Sequence, residues 1–90
     1  MSYVLVSYTV RDYAQWRAVF DADTVLQRHA GVFVRHVLHD DKRKTHVTLV
    51  AHIKDRSKAL ELSRRKELPK LIEKAGLLRE TVQYKWLGEH

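Results

Sequence analysis

The stretch VFVRHVLHDDKRKTHVTLVAHI, Val32–Ile53, holds two extended runs around a charged turn. Val32–His39 and Thr45–Ile53 are rich in β-branched residues, and the polar segment between them cannot continue a half-buried strand. Together they predict a hairpin. Closing it on Lys42-Arg43 pairs residues whose numbers sum to 85. Leu38 then faces Val47, His36 faces Leu49, and His39 faces His46 on the opposite side. A longer loop over Asp40–Thr45 keeps the same pairing.

Upstream, Asp12 can cap a helix running to about Ala30, and Gly31 can supply the left-handed residue that ends it. Its apolar stripe is Trp16, Val19, Phe20, Leu26 and Ala30, with Asp23 inside the stripe. A strand, Tyr3–Val10, precedes it. Downstream, Asp55 can cap a helix carrying Ala59, Leu60 and Leu62. Pro69 can begin a second short helix with Leu71, Ile72 and Ala75, closed by Gly76. Thr81–Leu87 is the last strand. The order βαββαβ predicts one domain over residues 1–90. Its expected class is ferredoxin-like α+β, a four-stranded antiparallel sheet with helices on one face and strands one and three central.

Alternation along the strands sorts the side chains into two surfaces. One is apolar, with Val4, Val6, Tyr8, Val32, Val34, Leu38, Val47, Leu49, Ile53, Val82, Tyr84 and Trp86, and belongs under the helices. The other mixes Leu5, Ser7, Phe33, Arg35, Val37, His39, His46, Thr48, Val50, His52 and Leu87. A second copy of the chain is its simplest cover. A chain of 90 residues buries only roughly 60–65% of its unfolded surface, so such a cover also stabilises it.

The chain has no cysteine, which removes disulfides, thiolate nucleophiles and cysteine-based zinc sites. Its first residues read as a strand rather than a signal or a membrane span, so the expected location is cytoplasmic. The net charge of +6 is concentrated between Lys54 and Lys74, where eight basic residues stand against four acids. That surface could meet nucleic acid or an anionic ligand. With no interleaved aromatic residues and no nucleic-acid motif, a solvated helical face is the expectation.

The segments YVLVSYTV, DYAQWRAVFDADTVLQRHAGV, THVTLVAHIKD and ELPKLIEKAGL, spread over nearly the whole chain, resemble the dimeric α+β barrel superfamily. The likeness is to its small antibiotic-biosynthesis-monooxygenase-like members, and it is one of pattern and size. It implies a homodimer of two sheets face to face, with a ligand cavity between each sheet and its own helices. Members include cofactor-independent oxygenases, heme-degrading enzymes and polyketide cyclases. This chain has no asparagine and no histidine within residues 55–75, so the heme-degrading branch is not expected. The expected function is a cofactor-independent monooxygenase or cyclase-like enzyme acting on an aromatic or polyketide-type molecule. The alternative is a non-catalytic homodimeric module that binds a small ligand or serves structurally.

His36, expected between Val34 and Leu38 under the helices, is the candidate general base or acid. Its bland counterpart is a core histidine satisfied by a carbonyl or a tyrosine hydroxyl. Asp23 is the second catalytic candidate, orienting His36 if it reaches it. Otherwise Asp23 turns to the helix edge and meets a basic residue of the later helices. Tyr8, Trp16, Phe20, Tyr84 and Trp86 are the expected substrate-binding residues, since an aromatic-lined cavity with polar tips suits a planar ligand. The partner-facing surface is expected to carry Phe33, Val37, Val50 and His52. His39 and His46 with Asp40 or Asp41 could hold a divalent ion, although hairpin ends are ordinarily polar, so no metal is expected. His29 and His90 read as surface residues. Gly31, Gly76 and Gly88 lie far apart and form no phosphate loop, and no serine has a nucleophile-elbow context. No cofactor site is expected.

Overall fold

The computed structural model describes residues 2–88, so His90 lies outside the described residues. In chain order the elements are β1 (Ser2–Val10), α1 (Tyr13–His29), β2 (Val32–His39), β3 (His46–Ile53), α2 (Arg56–Ser63), α3 (Leu68–Ala75) and β4 (Leu77–Gly88). The strands form one antiparallel sheet in the order β2-β3-β1-β4, with the first and third central. This is a ferredoxin-like α+β fold.

The helix ends follow their local chemistry. Extended Asp12 accepts a hydrogen bond from the Gln15 amide at 3.0 Å, and Asp55 accepts from Ser57 and Lys58. Gly76 closes α3 at φ 69°, and its carbonyl accepts from the Arg11 amide at 2.9 Å. That bond ties the end of α3 to the end of β1.

Burial comes from one sheet face meeting two helices. Val4, Tyr8 and Val10 on β1 and Val47, Leu49, Ala51 and Ile53 on β3 are buried, with Trp16 and Phe20 of α1 and Ala75 of α3 above them. α2 has no buried residue, and only partly buried Ala59 packs against the core from it. The sheet beneath α2 is therefore loosely covered.

The β2–β3 register departs from the expected pairing in mid-hairpin. Val32↔Ile53, Phe33↔His52 and Val34↔Ala51 follow it, and then His36 pairs with Val50, Val37 with Leu49, Leu38 with Thr48 and His39 with Val47. Arg35 and His36 together oppose one residue, a β-bulge that turns the rest of the strand over. Val37, expected on the partner-facing surface, instead packs against the core cluster of Tyr8, Trp16 and Leu49. His36 and Leu38, expected under the helices, are exposed with the outward residues. The physical gain is that a valine rather than an ionisable imidazole occupies the place opposite Leu49. The expected His39–His46 pair is not formed, and the His39 ring lies edge-on to Tyr13 at 5.3 Å.

β4 begins at Leu77, earlier than the expected Thr81, because a second irregularity lets it extend. Ser7 pairs with Gln83, but Thr9 pairs with Leu78. Thr81 Oγ1 closes the gap, accepting from the Thr9 amide at 2.8 Å and donating to the Leu78 carbonyl at 2.5 Å. On the outward face, Tyr3, Leu5, Phe33, Val50, His52 and Leu87 are half-buried with no helix over them. Among the described residues no helix is long and apolar enough to cross a membrane.

Candidate functional site

α1 presents its inner face in successive turns. Trp16 and Phe20 enter the core, and Asp23 and Gln27 follow on the same side, where core packing ends and polar groups begin. Across from them the connection between α2 and α3 brings in Arg65. Its Nη2 donates to Asp23 Oδ2 at 2.7 Å, with both side chains about 14% exposed (14% for Arg65 and 13% for Asp23). Gln27 Nε2 donates to the same carboxylate oxygen at 3.3 Å. Asp23 is thus held by the later helices. His36 is not near it.

This charged cluster forms one wall of a cleft of about 550 Å³ between the sheet and α2. The floor is Val4, Val6, Val32 and Ile53, and the roof is Ala59, Leu60, Leu62 and Leu68. Tyr84 and Trp86, paired with Val6 and Val4, line the β4 side and stay 67% and 42% exposed. The Arg56 guanidinium sits 4.2 Å above the Trp86 ring, a cation–π contact at the cleft mouth.

Behind the same wall lies a smaller cavity of about 160 Å³, lined by Tyr8, Trp16, Phe20 and Leu49. Asp23, Gln27, Arg65 and Leu68 border both spaces. The five expected ligand-binding aromatics are therefore split. Tyr84 and Trp86 border the cleft, whereas Tyr8, Trp16 and Phe20 form the packed cluster beyond the partition. In that cluster Trp16 Nε1 donates to the Tyr8 hydroxyl at 3.0 Å, and Trp16 and Phe20 stack at 5.0 Å between centroids. Burial pushes the Tyr8 hydroxyl well above the ordinary phenol range, and the bond from Trp16 offsets only part of this. Tyr8 is a neutral hydrogen-bonding group at ordinary pH.

A hollow of about 710 Å³ on the outward face is lined by Ser7, Thr9, His46, Thr48 and Gln83. Its lining is mixed, with Leu38 beside the polar groups, and the sheet separates it from the cleft. Among the described residues no three His, Asp or Glu side chains gather as a metal site would require. The cleft can hold a planar apolar body, offer stacking at its rim, and oppose a polar end with the Arg65–Asp23–Gln27 cluster. Strand alternation singled out Tyr84 and Trp86 and the helical stripe of α1 singled out Asp23, but neither pointed to Arg65 or Gln27. The available signal was spacing: Arg65 stands three residues after Leu62 and three before Leu68, inside an apolar stripe rather than on the charged face.

No family model matches the sequence, and no curated protein matches it. Solved structures do. The cofactor-independent oxygenase SnoaB from Streptomyces nogalater superposes with a TM-score of 0.75 at 14% identity, covering 99% of this chain and 92% of that one. A putative antibiotic biosynthesis monooxygenase from Caulobacter crescentus CB15 gives 0.76 at 10% identity, over 99% of this chain and 89% of the other. An uncharacterized NIPSNAP domain protein from Burkholderia xenovorans gives 0.71 at 10% identity, over 100% and 95%.

Proposed function

We propose, for a chain with the fold of the antibiotic biosynthesis monooxygenase structures, that it takes an aromatic or polyketide-type small molecule into the cleft between sheet and α2 and oxygenates it without a resident cofactor. The observation that carries this reading is the cleft itself, an apolar slot with Tyr84 and Trp86 at its rim and a charged cluster at its inner wall. Oxygenation of this kind uses the substrate as its own reductant. An ionised phenol or enol passes electrons to dioxygen, one oxygen atom enters the ring and the other leaves as water. The protein's part is to hold that anion oriented and away from bulk water. Cyclisation of a polyketide would need the same orientation and no oxygen.

A homodimer through the outward face is part of the proposal. Phe33, Val50 and His52 stand together there with Leu5, half-buried on a surface that no helix covers. Val37 is not among them.

A binding-only module is the second reading, favoured by one observation. No histidine lines the cleft, and its one carboxylate is engaged by Arg65. The test is to supply naphthol with dissolved oxygen and follow oxygen uptake alongside naphthoquinone absorbance. Uptake matched one-to-one by quinone, and lowered when Trp86 becomes alanine, supports the oxygenase. Binding by calorimetry with no oxygen uptake supports the binding module.

A further inference from the structure

Arg65 carries five N–H donors, and the structure accounts for few of them. Nη2 serves Asp23, whereas Nε and Nη1 are buried with no hydrogen-bond partner, and so is Gln27 Oε1 on the other side of the carboxylate. Buried donors left without partners are destabilising and rare in native proteins, so their occurrence together beside a cleft calls for a reason. The local charge supplies one. The charged residues bordering the cleft are Arg64, Arg65 and Asp23, and Arg56 adds a third guanidinium at the mouth over Trp86. Three positive groups face one carboxylate, and that carboxylate is already paired.

We propose that Arg65 is the anion anchor of the cleft, so that the ligand is a planar aromatic bearing an ionised oxygen, a carboxylate or an enolate. The ring lies on Val4 and Val6 between Tyr84 and Trp86, and the anionic oxygen points at the inner wall. With Nη2 held on Asp23, Nε and Nη1 are the donors left to meet the anionic oxygen. Asp23 is accordingly a positioning residue that fixes where the anchor sits. Gln27 Oε1 accepts from any hydroxyl adjacent to the anion.

This inference rests on the cleft being a ligand site, and the experiment separates the two claims. Calorimetric titration of the full-length protein compares naphthoate with naphthamide, which share a ring system and differ in charge. The expected result is that naphthoate binds about tenfold more tightly, the scale of a charge-assisted hydrogen bond over a neutral one. Arg65→Met should erase that preference by weakening naphthoate far more than naphthamide, and Trp86→Ala should weaken both ligands together. Equal affinity of the native protein for the two compounds overturns the anchor and leaves the aromatic cleft standing. Binding of neither overturns the cleft and the anchor together. Should Arg65→Met leave Asp23 unpaired and fail to fold, the double variant Asp23→Asn/Arg65→Met carries no lone buried charge. Persistence of the naphthoate preference in that variant also overturns the proposal.

Discussion

Tyr8 and Trp16 illustrate how much depends on single polar atoms in a small core. The Trp16 indole N–H is spent on the Tyr8 hydroxyl, deep under α1. Trp16→Phe keeps most of the ring but strips that donor, and should destabilise the fold by about 1–3 kcal/mol, measured by urea unfolding. An unchanged midpoint would show the bond to be dispensable. Tyr8 also sets an alkaline limit. Its pKa is raised in the folded state, so above the ordinary tyrosine value of about 10 the unfolded chain releases a proton that the folded chain retains. The stabilising contribution is whole below that value and declines as pH climbs from there toward the folded pKa. Tyr8→Phe should flatten the fall of melting temperature with pH in that range; an identical fall in both proteins contradicts the assignment. His36 offers the opposite expectation. It lies on the outward side of the sheet, so His36→Ala should alter naphthoate affinity by less than about twofold. A larger loss would mean that the imidazole reaches the cleft.

Among the elements, β2 and α2 control what the site becomes. The bulge at Arg35 and His36 lets the strand begin in one register and end in another, packing Val37 against the core and turning His36 outward. Deleting Arg35 removes the extra residue without moving Val37 off the core face. That deletion should cost less than about 1 kcal/mol in thermal unfolding, as exposed changes ordinarily do. Under uninterrupted pairing, with His36 already opposite Leu49, the deletion would flip the rest of the strand, turning His36 out and Val37 in, and would change stability by far more. α2 contributes the cleft by what it fails to bury. Capped by Asp55 but anchored to the core only through Ala59, it spans the sheet without sealing it. The helix is short, and its apolar residues Leu60 and Leu62 border the cleft.

At the scale of the whole molecule, the two sides of the sheet have different needs. The helical side is filled near α1 and hollow near α2, whereas the outward side has half-buried apolar residues and no helix. Pairing of two 10.6 kDa chains would close that side. Val50, between Leu5 and His36 in the sheet register, stands near its middle. Val50→Glu should shift the mass measured by analytical ultracentrifugation from twice the chain to one chain, while far-ultraviolet circular dichroism stays native. A native protein that sediments as a monomer at micromolar concentration contradicts the proposed homodimer.

The order of elements was legible in the sequence because it depends on local physics. Asp12, Asp55, Pro69 and Gly76 mark helix ends through their own backbone and capping preferences, and alternation marks the strands. The apolar stripe of α1 likewise put Trp16 and Phe20 on its inner face, although they were expected to line a ligand cavity and the structure packs them into the core. The candidate site was legible only in part. Tyr84 and Trp86 follow from alternation, but the position of His36 depends on one extra residue in a strand, and a bulge carries no local signature there to oppose a regular hairpin. Arg65 was hidden in a run of basic residues whose usual place is in water. Its pairing with Asp23 joins positions 42 apart in the chain, and only the folding of α1 against the α2–α3 connection brings them to 2.7 Å. Local preference set the elements. Long-range packing decided which charged groups they would enclose.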